Sequence, residues 1–259
     1  MKFVGKAKLL KKQIINEENF RFVIKRSDEM GCVYPGQFFN VSASKVGYPM
    51  LKRPISVSDV GEDTIEFTIK IIGEGTRAML DYNEGEAVEL MGPLGNGFEY
   101  GGYRKILVIG GGIGIAPLKG LINSLKKTEV EIHSVLGYRD APYLYEDFAA
   151  NSAICEIVSE NDEQYNRGYV TDPVKKMLES EVYDMIYVCG PYPMLKNLTD
   201  LFNSKGFRAQ LLMEEKMACG IGACLVCTCK TKNGDFGFKH SRMCKDGPMF
   251  YSDEVIFDE

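Results

Sequence analysis

Five of the eight cysteines fall between residues 219 and 244, and their spacing limits what chemistry they can do. Cys219, Cys224 and Cys227 form a C-x4-C-x2-C run, and Cys244 follows seventeen residues after Cys227. Three thiolates from one loop with a distal fourth are the ligand pattern of a plant-type [2Fe–2S] centre. Gly220 and Gly222 let that loop bend tightly and turn backbone N–H groups toward the sulfurs. The competing reading is a zinc knuckle built from Cys224, Cys227, Cys244 and either Cys219 or Cys229. Four-cysteine zinc sites draw a C-x2-C pair from each arm, and here the second arm offers only Cys244. A strand leaving the loop puts Cys229 on the same face as Cys227, near the centre without ligating it.

Two glycine turns suit phosphates. In Gly110-Gly111-Gly112-Ile113-Gly114-Ile115-Ala116-Pro117 an apolar strand runs into a turn at the start of a helix, where bare N–H groups and the helix dipole face an anion. The run departs from G-x-G-x-x-G because Ile115 stands three after Gly112, so a plain tight turn is the alternative. Cys189-Gly190-Pro191 repeats the strand-turn-helix arrangement, and ligands of an open parallel sheet gather at the carboxyl ends of its strands. Cys189 by itself reads as a small buried residue. Arg53-Pro54-Ile55-Ser56 and Gly73-Glu74-Gly75-Thr76 supply a cation, a hydroxyl and a helix start, a set that fits a pyrophosphate. Gly137-Tyr138-Arg139-Asp140 ends a strand where a ribose 2′ position is read: Asp140 suits a 2′-hydroxyl and Arg139 a 2′-phosphate.

These residues need elements to hold them. Short β-rich runs at 3–15, 20–25, 37–42, 55–58, 64–71 and 87–90 predict a small antiparallel barrel, with a short helix at 75–82 and a turn-rich linker at 92–97. From about residue 103, buried strands at 106–109, 131–136, 154–158 and 185–189 alternate with helices at 117–127, 143–150, 172–179 and 192–204. That alternation predicts parallel βαβ units with helices on both faces of a sheet. Residues 214–259 are too few to hold a core by apolar burial alone and need a staple, which a metal centre provides.

A length of 259 residues allows one large domain or two to three small ones, and 45% hydrophobic with 26% charged residues excludes a disordered or fibrous chain. The net charge of −5 argues against general nucleic-acid binding. The longest uncharged run, residues 30–44, is too short to span a bilayer. With no apolar signal-peptide core at the start, the expectation is a cytoplasmic protein without membrane association. Two histidines, His133 and His240, leave little room for a site of several imidazoles.

With these motifs in this order, the chain resembles the ferredoxin-NADP reductase superfamily. The nearer resemblance is to the electron-transfer subunits of class 1B dihydroorotate dehydrogenases. It covers essentially the whole chain and is most specific at 214–224 (Glu-Glu-Lys-Met-Ala-Cys-Gly-Ile-Gly-Ala-Cys) and 243–248 (Met-Cys-Lys-Asp-Gly-Pro). It implies a multidomain fold: an antiparallel β-barrel FAD domain (1–100), an α/β parallel-sheet NAD domain (101–213) and a small C-terminal [2Fe–2S] lobe (214–259). By this resemblance Arg53, Pro54, Ile55 and Ser56 hold FAD, Lys70, Ile71 and Ile72 line the flavin, and Gly75 and Thr76 bind its pyrophosphate. Gly110, Gly111, Gly112, Ile113 and Gly114 with Cys189, Gly190 and Pro191 take NAD(H). Cys219, Cys224, Cys227 and Cys244 bind the cluster.

The implied activity is an oxidoreductase subunit of pyrimidine biosynthesis. It passes electrons between NAD(H) and an FMN-containing dihydroorotate dehydrogenase catalytic subunit, in a heterotetramer of two plus two. The cofactors do the chemistry, so no catalytic side chain is expected. A FAD/[2Fe–2S] subunit of another NAD(P)H-dependent reductase, of the ferredoxin:NADP oxidoreductase or hydrogenase diaphorase type, shares the motifs. A zinc-stabilised nucleotide-binding sensor is the remote alternative.

Overall fold

Alternating apolar residues build the first unit. In the computed structural model, which describes residues 2–234 and 237–257, six strands close into an antiparallel barrel. They are β1 (Phe3–Ile14), β2 (Asn19–Lys25), β3 (Phe38–Val41), β4 (Arg53–Val60), β5 (Thr64–Lys70) and β6 (Ala87–Leu94), in the spatial order β1-β2-β5-β4-β3-β6. Phe20, Phe22 and Ile24 of β2 and Ile65, Phe67 and Ile69 of β5 recur at every second residue and fill the interior. Closure leaves no open sheet edge there. The expected linker begins later than the glycines suggest: Gly92 pairs with Phe3 and Leu94 with Phe38, so 92–94 continue β6 and the turn starts at Gly95. The short helix α1 (Glu74–Ala78) tightens into a single 3-10 turn at Met79–Asp81.

The second unit is a seven-stranded sheet. It contains β7 (Lys105–Gly111), β8 (Glu131–Tyr138), β9 (Ile154–Ser159), β10 (Asn166–Arg167), β11 (Met185–Cys189) and β12 (Ala209–Leu212), all parallel where they pair. Helices α2 (Ile115–Leu125) and α3 (Glu146–Asn151) pack on one face, and α4 (Thr171–Ser180) and α5 (Tyr192–Lys205) on the other. Helix α2 starts two residues before Pro117, which stands third in the helix, where a missing N–H costs no intrahelical bond. Strand β12 has no clear period because its buried Gln210 is polar; that side chain bonds the backbone N–H and C=O of Glu99 at 2.8 and 2.7 Å.

The cysteine-rich segment does not stand alone. β13 (Thr228–Lys232), β14 (Phe238–Arg242) and β16 (Val255–Ile256) form a three-stranded sheet, while β15 (Met249–Tyr251) leaves it and pairs antiparallel with β12. Met243, Cys244 and Phe250 are buried in one apolar cluster with Phe38 and Leu94 of the barrel and with residues of α4 and α5. The shared core supplies support that a segment of this length lacks by itself. No described helix is long and apolar enough to cross a membrane.

Candidate functional site

The cysteine loop is shaped by glycines in the left-handed region, Gly220 at φ +70° and Gly222 at φ +83°. Leu225 adopts φ +60° without being glycine, the kind of backbone strain that binding loops store. The result is the arrangement the spacing predicts: the Cys219 sulfur accepts the N–H groups of Cys224 at 3.4 Å and Ile221 at 3.5 Å. These donors, Ile221 first, bring its thiol down to about 6. Burial, with the adjoining Cys227 thiol, pushes Cys244 up. The four cysteines stand as two neighbouring pairs, Cys219 with Cys224 and Cys227 with Cys244, with Cys219 and Cys244 also in electrostatic reach. Among the described residues no three His, Cys, Asp or Glu side chains surround one point as a metal ion requires. Paired thiols with N–H donors suit a centre of two irons, each taking two cysteines, better than a single zinc. Burial pushes the Cys229 thiol up to about 11, and it packs at the edge of the same core.

Two groups that the spacing does not reveal fix this loop. The Arg242 guanidinium bonds both carboxylate oxygens of Asp246, at 2.9 and 3.0 Å, and donates to the Gly222 carbonyl at 3.2 Å, tying loop to hairpin. Asn40 of β3 is buried and lies against Gly220, where a methyl group would collide with its amide. Its Oδ1 has no hydrogen-bond partner. Asn40 is paired with Pro54, so the cysteine loop rests on the strand beside Arg53-Pro54-Ile55-Ser56. Isolated polar residues in otherwise ordinary strands carry no signal that would have marked them beforehand.

The glycine turns meet as expected. Cys189 is in register with Gly110, and a methyl on Gly114 would stand 2.6 Å from the Cys189 carbonyl oxygen and 2.7 Å from the Gly190 nitrogen. A methyl on Gly111 would stand 2.5 Å from Met194 Sδ and 3.1 Å from Pro191 Cδ. Gly112, at φ +53°, faces open space, and Ile113 is half-buried beside it. The two turns are therefore packed edge to edge, with open space left at Gly112, an arrangement that fits a dinucleotide pyrophosphate. Burial holds the Cys189 thiol well above its ordinary range, so it is a neutral packing group. Asp140 accepts a bond from Asn161 Nδ2 at 2.9 Å, which fixes its carboxylate at the end of β8.

In the barrel, the Arg53 guanidinium packs on Gly75, filling the place a side chain would take, and its Nη1 bonds the Leu51 carbonyl at 2.5 Å. The strand and α1 thus present their cation and helix start together. The Thr76 hydroxyl is turned inward, accepting the N–H groups of Ile72 at 2.9 Å and Gly73 at 3.3 Å. It shapes the turn rather than offering a free hydroxyl. Ile55 is buried, and Ser56 is half-buried opposite Phe38. Lys70 is paired with Glu18 at 3.0 Å, Ile71 packs on the barrel core and Ile72 projects with 78% of its surface exposed. An exposed aliphatic side chain beside a cationic turn fits a large planar ligand with a phosphate tail.

Residues 214–256 match the iron-sulfur cluster binding domain of dihydroorotate dehydrogenase B, and 108–200 match the oxidoreductase NAD-binding domain. A protein of Caldanaerobacter subterraneus subsp. tengcongensis, named dihydroorotate dehydrogenase B (NAD(+)), electron transfer subunit, is 37% identical over 257 residues, 99% of this chain and 100% of that one. A protein of the same name from Fusobacterium nucleatum is 34% identical over 249 residues, 93% of this chain and 94% of the other. Among solved structures, that of an NADH-dependent reduced ferredoxin-NADP oxidoreductase superposes with a TM-score of 0.84 at 28% identity, covering 96% of this chain and 89% of that one.

Proposed function

The chain belongs to the family of dihydroorotate dehydrogenase B electron transfer subunits, and from that membership we propose how its three segments carry electrons between NAD(H) and a catalytic partner subunit. When bound, the nicotinamide supplies hydride chemistry, FAD exchanges electron pairs for single electrons, and the [2Fe–2S] cluster carries single electrons. Arg53, Pro54, Ile55 and Ser56, with Lys70, Ile71, Ile72, Gly75 and Thr76, hold FAD. The charge of Arg53 is fixed against Gly75 to meet a phosphate. The turn of Gly110, Gly111, Gly112, Ile113 and Gly114, open at Gly112, receives NAD(H) together with Cys189, Gly190 and Pro191. Cys219, Cys224, Cys227 and Cys244 ligate the cluster, and the N–H groups of Ile221 and Cys224 favour its reduced form. No side chain of this chain moves a proton in the hydride step; orientation and exclusion of water are its contribution.

The observation that carries the reading is that the barrel packs against both other segments, which also join each other through β12 and β15. Asn40 and Leu94 support the cysteine loop on one side, and the glycine turn and α2 lie against β5 and β4 on the other. The partner is an FMN-containing catalytic subunit in a complex of two plus two, acting in the cytoplasm. The exposed apolar side chains of Ile221, Leu225 and Val226 give the cysteine loop a surface suited to that partner.

Purification of the tagged chain from its native cells tests this. The expected preparation contains flavin, iron and sulfide, gives the paramagnetic signal of a reduced diiron centre after dithionite, and brings down a subunit with dihydroorotate:NAD+ activity. A ferredoxin-reducing partner in its place would favour the ferredoxin:NADP oxidoreductase reading, to which the 28%-identical structural neighbour belongs. A colourless zinc protein would end both.

A further inference from the structure

Lys119 is the most enclosed lysine contact between the two nucleotide-handling units, with its side chain only 8% exposed. It projects from α2, one turn past the glycine turn, into the face of the barrel. Its ammonium bonds Glu66 Oε1 of β5 at 2.7 Å and lies 3.7 Å from Asp59 of β4 and 3.9 Å from Asp147 of α3. Arg21 Nε approaches the same Glu66 oxygen at 3.3 Å but is not aligned for a hydrogen bond, so among the described residues Lys119 is the side chain that bonds it. Asn123, one turn further along α2, donates to Asp59 Oδ2 at 2.7 Å. Gly120 between them lets the helix close on the strand: a methyl there would sit 3.1 Å from the Ser58 carbonyl oxygen. The buried charges are therefore aligned across a seam that one helix and two barrel strands share.

We propose that Lys119 is a positioning residue that sets the angle between the dinucleotide turn and the flavin-binding strands. This deepens the function proposed above and rests on it. Helix α2 carries the Gly110–Gly114 turn at its start, and β4 carries Arg53 to Ser56 at its start. A rotation about the Lys119 seam moves one half-site against the other. Delivery of a hydride, two electrons and a proton from reduced nicotinamide to flavin, is steep in distance, and a misplacement of about 1 Å costs on the order of 100-fold. Burial makes the pair directional: without the ammonium, Glu66 and Asp59, register partners on β5 and β4, are left side by side on the barrel face of the seam with the misaligned Arg21 beside Glu66.

The test uses the purified, cofactor-loaded chain and its K119M, K119R and K119M/E66Q forms. Stopped-flow reduction of the flavin by NADH is expected to slow about 10- to 100-fold in K119M at saturating NADH, with the dissociation constant for NADH changed less than threefold. K119R restores most of the rate. Independently of turnover, amide hydrogen exchange is expected to quicken in 57–60 and 119–123 of K119M and to stay unchanged around the cysteine loop. K119M/E66Q, which removes the unpaired carboxylate, keeps the fold testable if K119M alone does not accumulate. A K119M rate within twofold of the parent, or equal slowing in K119R, overturns the proposal. Failure of the parent chain itself to be reduced by NADH would instead overturn the function on which it rests.

Discussion

Replacing Gly220 by alanine tests the support that the barrel gives to the cysteine loop. Two penalties are separable. A non-glycine residue at φ +70° costs about 1–2 kcal/mol in the left-handed region. The new methyl also meets the Asn40 amide well inside van der Waals contact, and stands 3.2 Å from Leu94 Cδ1. Overpacking of that kind costs about 1–3 kcal/mol. Together they predict a loss of about 2–5 kcal/mol, or about 4–20 °C in melting temperature at 2–4 °C per kcal/mol for a chain near this size. Asn40→Ala removes the colliding amide and its unpartnered Oδ1, so in that background Gly220→Ala is expected to cost only the backbone share, about 1–2 kcal/mol. Thermal melts of the four proteins, with visible absorption of the cluster as a second readout, complete the cycle. A Gly220→Ala protein melting within 1 °C of the parent would refute the reasoning. So would an equal loss with and without Asn40, since the loop would then not be resting on the barrel.

Other outcomes follow from the same geometry. Cys224→Ala is expected to abolish the diiron signal and delivery to the partner while flavin reduction by NADH survives, whereas Cys229→Ser keeps the signal; its loss in Cys229→Ser would show the fourth ligand to be wrongly chosen. Gly114→Ala drives a methyl against the Cys189–Gly190 backbone and is expected to weaken NADH binding at least tenfold with flavin content unchanged, measured by titration. Asp184 accepts the N–H groups of Lys105 and Arg104, which hold its carboxyl below its ordinary value of 3.8. Its contribution is therefore present above about pH 4 and lost as pH falls through the lowered value. Asp184→Asn should flatten that part of the acid-unfolding curve, and an unchanged curve would count against the assignment.

Local patterns were legible in the sequence because they are written over a few covalently adjacent residues. Cys219, Cys224 and Cys227 need one loop, Gly220 and Gly222 bend it, and the observed N–H donors follow from that bend. The alternation of Phe20, Phe22 and Ile24 and the apolar run of β11 similarly announced strands. The turns at 110–114 and 189–191 were recognisable one at a time. Their shared crevice required β7 and β11 to be neighbours, which the strand-helix alternation implied without fixing the order.

Tertiary structure decided what joins residues far apart in the chain. The return of β15 to the edge at β12, the seat of Gly220 on Asn40 and the burial of Lys119 against Glu66 have no counterpart in local spacing. Each depends on how three packed units divide one core, a sum of many weak contacts that no short stretch encodes. The residues proposed to hold cofactors can therefore be read from neighbours along the chain. The packing of the three units against one another involves side chains whose partners lie 53 residues away in one case, Lys119 to Glu66, and 180 in another, Asn40 to Gly220.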